Sequence, residues 1–328
     1  MVAPHERDGI VIERRRWIYR HSLVTRVAHW INALCFVLLL MSGLQIFNAH
    51  PALYFGSRSH FEAPSFEIKA VTAADVQSGA ALKSGQSLAG SAQSLAPRSS
   101  NAAGDDAEAA GGEPDRGVVT AFGKIIFDTT GWLGFTDDPN GERADRAFPS
   151  WLTLPGQQDL ATARRWHFTF AWLLVLNGLI YLACGAMSGH LRRDLWVRAR
   201  ELREVSHSIW KHMRLRFPRG DEARHYNVLQ KLAYLTVIFL VLPAIILTGM
   251  TMSPGLDARF PFLVTLFGGR QSARTIHFIL AFGLVAFALV HVGMVLLSGF
   301  ANNMRSMITG RYVIDARRRD VHDHAPSA

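Results

Sequence analysis

The sequence predicts an all-α membrane protein, a four-helix transmembrane bundle with a long external insertion between its first two spans. Three observations carry that prediction. Of 328 residues, 49% are apolar and only 19% charged. The apolar residues gather into four runs, at 25–47, 166–188, 228–252 and 273–299, and none of these contains an acidic residue. The basic residues collect between and beyond the runs. About 20 helical residues cross a hydrocarbon core about 30 Å thick, so every run is long enough. Burying four such helices in a water-soluble core would need more covering protein than the remaining residues supply.

Taken in order, residues 1–24 hold five Arg against three acids and read as a cytoplasmic segment. The first span, 25–47, reads as a retained anchor, because no small-x-small cleavage site follows it. The insertion 48–165 is acidic: residues 48–163 hold eight basic and fourteen acidic side chains. Within it, 70–113 contains 26 Ala, Gly or Ser among 44 residues and no aromatic, which predicts a flexible stretch. Residues 114–165 space Phe122, Phe127, Trp132, Phe135, Phe148 and Trp151 among Gly, Pro and Asp, as an ordered cap or docking surface would. The second span is 166–188. The connection 189–227 is basic and alternates Arg with apolar residues, either as an amphipathic helix on the anionic membrane face or as a solvated charged helix. The third span, 228–252, is interrupted by Pro243. A short external loop, 253–272, leads to the fourth span, 273–299, and a basic tail, 300–328.

The positive-inside rule places both termini and the 189–227 connection in the cytoplasm of a bacterial inner membrane, with the acidic insertion outside. The formal net charge of +9 is explained by that distribution, so nucleic acid is not an expected partner. Cys35 and Cys184 both lie in spans and form no Cys-x-x-Cys grouping, which leaves no zinc ribbon, covalent haem or iron-sulfur motif. No phosphate-cradling Gly-rich loop and no internal repeat stands out.

Four of the fourteen histidines lie inside spans: His29, His167, His277 and His291. Ionisable groups in hydrocarbon are costly and therefore functional suspects. His277 and His291 are fourteen residues apart, which places them within about 40° on one helix face and about 21 Å apart along it. Alternating span directions bring His29 to the inner level of His291 and His167 to the outer level of His277. Two pairs, His29 with His291 and His167 with His277, are what two bis-imidazole haems in a helical bundle require. Gly43, fourteen residues after His29, would make room for a macrocycle edge. Interfacial or packing histidines are the alternative. A di-iron site would need carboxylates that the spans lack.

With these residues in place, the chain resembles the bacterial cytochrome b561-like superfamily, and within it the membrane cytochrome b subunits of formate dehydrogenase, nickel-iron hydrogenase and thiosulfate reductase. The matching pieces are Arg26-x-x-His29-Trp30, Arg164-Arg165-Trp166-His167, Tyr226-Asn227-x-x-Gln230-Lys231 and the His277/His291 spacing. The resemblance implies two b-type haems held by the four histidines, and a quinone or quinol near Asn227, Gln230 and Lys231. At a helix start those side chains also serve as ordinary caps. The segment Phe148-Pro-Ser-Trp151-Leu-Thr-Leu-Pro155 resembles a subgroup whose partner is an external molybdopterin oxidoreductase. Arg26, Arg165 and Arg274 lie near histidine levels, where a guanidinium pairs with haem propionates or simply anchors the interface.

The expected function is a subunit passing electrons between a periplasmic redox protein and the membrane quinone pool. The competing expectation is a non-redox membrane anchor or sensor that docks an external partner, its histidines serving as packing or pH-responsive groups.

Overall fold

The computed structural model describes residues 14–61, 63–72, 116–123, 125–189 and 228–316. The expected flexible segment thus lies outside the described residues except for 70–72. The 189–227 connection lies outside them except for Gly189, and the tail beyond 316 lies outside them entirely.

Four helices are long and apolar enough to cross a membrane: α1 (Leu23–Asn48), α2 (Leu160–Met187), α3 (Val228–Met252) and α4 (Arg270–Leu297). α2 starts six residues before the apolar run at 166 because a helix start is set by capping and not by hydropathy. The Asp159 carboxylate accepts from the Thr162 backbone N–H at 2.9 Å and satisfies a free donor of the first turn. The Thr162 hydroxyl and N–H together hold the Asp159 carboxyl below its ordinary range. α3 widens into a π-helical turn at Val237–Val241, just before Pro243. Proline lacks an N–H and its ring crowds the carbonyl four residues back, which the wider turn relieves.

The all-α prediction is corrected. The chain is mainly helical, but eight strands form three antiparallel sheets among the described residues: β1 (Arg14–Tyr19) with β8 (Arg311–Ala316); β2 (Ala52–Leu53), β3 (Phe66–Val71), β4 (Arg116–Ala121) and β5 (Ile125–Asp128) in that order; and β6 (Gly134–Asp137) with β7 (Arg143–Arg146). The physical reason is local composition. β3 alternates Phe-Glu-Ile-Lys-Ala-Val, the two-residue period of a strand. Its Glu67 and Lys69, two residues apart, form a nearly buried ion pair at 3.0 Å.

The chain divides into two compact units. The first comprises residues 1–30, 178–239 and 286–328; the second comprises 31–177 and 240–285. In the first unit, β1 and β8 pair with Arg20 over the Tyr312 ring and Arg305 over the Trp17 ring. A short helix, α5 (Phe300–Thr309), ends against α1: the Arg26 guanidinium donates to the Ile308 carbonyl and the Trp30 indole to Met307. A cation at the C-terminus of a helix meets its unsatisfied carbonyls and the negative end of its dipole.

In the second unit, the inserted strands pack on the C-terminal end of α1. Leu44 and Phe47 share a core with Leu53, Ile68, Val119, Ala147 and Phe148, and Phe278 of α4 packs against it. Polar side chains fix the junction. Asn48 exchanges two hydrogen bonds with the Phe148 backbone, at 2.8 and 3.1 Å. Arg146 is fully buried and donates to Gly156 O, Thr153 Oγ1 and Gln45 Oε1. The Gly56 carbonyl accepts from the N–H groups of Gln271 and Ser272 at the start of α4. Gly269, at φ 114°, permits that approach, since a Cβ there would meet Gly56 O at 2.4 Å.

Candidate functional site

Two histidine pairs form, one inside each unit. In the second unit, His167 of α2 and His277 of α4 have ring centroids 6.2 Å apart at an interplanar angle of 57°. In the first, His29 of α1 and His291 of α4 are also 6.2 Å apart, at 63°. Two imidazoles hydrogen-bonded directly to each other would have centroids about 5.4 Å apart, from an N···N distance of about 3 Å and about 1.2 Å from each nitrogen to its ring centre. Two metal–nitrogen bonds of about 2 Å each, with the same ring dimension, give about 6.4 Å. Both pairs sit at the second spacing, so the residues present fit a group with one metal between two imidazoles.

The hydrogen bonds at the second-unit pair assign its tautomers. Ser42 Oγ lies 3.1 Å from His167 Nδ1 and 2.6 Å from the Leu38 carbonyl. A hydroxyl has one hydrogen, and here the short contact to the carbonyl four residues back takes it. Ser42 Oγ therefore accepts, and His167 Nδ1 carries the proton. The same holds on α3. Thr248 Oγ1 lies 2.9 Å from the Ala244 carbonyl and 3.1 Å from His277 Nδ1, which also approaches the Ile245 carbonyl at 3.0 Å. With Nδ1 protonated, each ring keeps an unprotonated Nε2, the form a metal ligand needs.

Glycines set how close these rings come to the neighbouring helices. A Cβ on Gly43 would stand 3.4 Å from His167 Cε1, and one on Gly249 would stand 3.4 Å from His277 Cε1. Gly43, expected to make room for a macrocycle edge, lies against the His167 ring. At the first-unit pair the surroundings differ. Phe287 stacks on His291 at 6.0 Å and Trp30 meets His29 edge-on at 5.4 Å. Among the described residues, neither the His29 nor the His291 ring has a hydrogen-bond partner.

The remaining predicted residues take different places. Arg26 donates to the Ile308 carbonyl, and its buried Nε has no partner among the described residues. Arg165 is exposed and donates to Thr162 Oγ1 at 3.2 Å. Arg274 donates to the His50 carbonyl and lies over the Phe47 ring. Gln230 and Lys231 stand in the first turn of α3, while Asn227 lies outside the described residues.

Sequence reasoning missed His50, Ser42 and Thr248. His50 stacks on Tyr54, and its buried Nε2 is without a partner among the described residues. Burial, and then the Arg274 guanidinium, hold the His50 imidazole down at about 4. Burial and the Glu67 carboxylate push the Tyr54 hydroxyl up, against the opposite pull of Arg274.

Comparison with known proteins places these features in a family. The profile described as prokaryotic cytochrome b561 matches residues 20–65 and 119–310, which takes in all four long helices and all four histidines. A relative in Azospira oryzae, a putative protein-methionine-sulfoxide reductase subunit YedZ1, is 38% identical over 149 residues, covering 45% of this chain and 71% of the relative. No solved structure shows a significant match. The chain belongs to the prokaryotic cytochrome b561 family and is a multi-pass membrane protein with four candidate spans.

Proposed function

We propose that this protein is a di-haem b-type membrane cytochrome that carries electrons between an external oxidoreductase and the membrane quinone pool. The observation that carries the reading is the 6.2 Å separation within each of two histidine pairs, wide enough for one metal and too wide for a direct hydrogen bond. The assigned residues are His29 and His291 at the inner site, and His167 and His277 at the outer site. Both termini are cytoplasmic in this reading. A bound b-type haem supplies one-electron chemistry at each site.

The chain's own residues do the rest. The imidazoles of His29 and His291, and of His167 and His277, would hold the metal of each haem. The apolar faces of α1 to α4 exclude water. In this reading Asn227, Gln230 and Lys231, at the start of the third span in the sequence, are assigned to the quinone. Arg274, three residues before His277 on α4, is assigned to a propionate in this reading, as Arg26 and Arg165 are.

The exposed aromatic side chains Phe122, Phe127, Trp132 and Trp151 of the insertion offer a surface to the external partner. The Azospira relative is named as a subunit of a protein-methionine-sulfoxide reductase. By that likeness the partner here is an external oxidoreductase of the same class, a molybdopterin enzyme in this reading. A reductase consumes electrons, which favours flow from quinol outward.

The test is reduction of the purified chain by a quinol, followed through the reduced b-haem absorption. Asn227→Ala and Gln230→Ala are each expected to slow that reduction about tenfold, the loss of one hydrogen bond. Neither is expected to change the spectrum obtained with dithionite. A folded chain without haem absorption would return the reading to a non-redox anchor.

A further inference from the structure

The two hydroxyls that receive the Nδ1 protons of His167 and His277 occupy equivalent places in two stretches of sequence that match each other. On α1 the stretch is Leu39-Leu40-Met41-Ser42-Gly43; on α3 it is Ile245-Ile246-Leu247-Thr248-Gly249. The helices that follow match as well. α2 reads Thr162-Ala163-Arg164-Arg165-Trp166-His167-Phe168, and α4 reads Ser272-Ala273-Arg274-Thr275-Ile276-His277-Phe278. Ala171-Trp172 continues the first and Ala281-Phe282 the second. Ala163 and Ala273 are both fully buried one turn before the histidine.

The geometry repeats with the sequence. Hydroxyl to Nδ1 is 3.1 Å in both, and the absent glycine Cβ would be 3.4 Å from Cε1 in both. A second backbone carbonyl, three residues before the hydroxyl, belongs to Leu39 in one case and Ile245 in the other. An internal repeat is therefore present where none stood out from the sequence. It stops short of the other pair: Tyr181 on α2 stands where α4 carries His291, fourteen residues after the histidine in each case.

We infer that the His167/His277 site is built from a duplicated helix pair, and that Ser42 and Thr248 are its two equivalent positioning residues, lowering the reduction potential of the metal group that the site binds. This rests on the haem reading proposed above. A histidine that donates Nδ1–H to a fixed acceptor is a stronger electron donor at Nε2, because negative charge on the ring is shared with the acceptor. Stronger donation stabilises the oxidised metal and lowers its potential. Ser42 and Thr248 act on the two histidines of one site, so their effects would fall on the same centre. His29 and His291 lack such acceptors among the described residues, so the other centre does not share the effect.

The experiment is an anaerobic redox titration of the purified full-length chain, read by b-haem absorption, with a pyridine-haem count on every sample. Ser42→Ala and Thr248→Val are each expected to shift upward the one transition that His277→Ala removes. The double variant should shift it further than either single, with two haems retained throughout. Ser42→Thr and Thr248→Ser keep the oxygen and are expected to keep the wild-type titration. An unmoved transition, a shift in the transition that His291→Ala removes, or an equal shift in the oxygen-keeping variants would each overturn the inference. A wild-type chain with no haem would instead overturn the reading on which it rests, and the haem count separates the two failures.

Discussion

His50 shows how a residue outside the spans reports on the fold around it. Its folded value of about 4 lies below the ordinary histidine value of about 6.5. Protonation therefore opposes the folded state. The stability that depends on neutral His50 is fully present above pH 6.5 and is lost as pH falls from 6.5 through 4. Thermal midpoints measured across pH 4–7 are expected to fall more steeply for the wild type than for His50→Gln, and parallel curves would contradict the assignment. The four span histidines were legible in the sequence because a titratable ring inside an acid-free apolar run needs a partner to be stable there. Ser42 and Thr248 were not legible. A hydroxyl in an apolar helix can satisfy itself on the carbonyl four residues back, so its presence alone says nothing about a second partner. Arg146 was equally silent, since its buried bonds reach Gln45, about a hundred positions away.

At the scale of elements, the long helices could be read directly, because about 20 apolar residues have one stable arrangement in a membrane. Their starts could not, as Asp159 and the polar first turn of α2 show. The strands were missed for two separate reasons. β3 carries a clear alternation inside a segment whose acidic and small residues dominate its composition. β1 and β8 are short Arg-containing stretches from opposite ends of the described chain, and each reads as a charged tail until paired with the other. The internal repeat was hidden because its strongest identities, Ala-Arg-x-x-His-Phe, are separated by over a hundred residues and a long insertion, while its other half is only five apolar or small residues. Its glycines give a test. Gly43→Val and Gly249→Val place a branched side chain where even a single Cβ would touch a histidine ring at 3.4 Å. Each is expected to displace that ring and reduce the haem content from two toward one per chain, measured by pyridine haemochrome. Full retention of both haems would show that the rings need no such clearance.

As a whole molecule, this is a member of the prokaryotic cytochrome b561 family whose two histidine pairs have the spacing of metal ligands. The described strands of the insertion are joined to α1 and α4 by a shared apolar core and by Asn48, Arg146 and Gly56, so they are a built part of the second unit. The most direct measurement is the haem count and reduced absorption spectrum of the purified wild type, His277→Ala and His291→Ala. Two low-spin b haems in the wild type, and one remaining in each variant with distinct residual spectra, is the predicted result. A folded wild type with no haem, or variants that both retain two, would contradict the assignment of the two pairs to two metal centres.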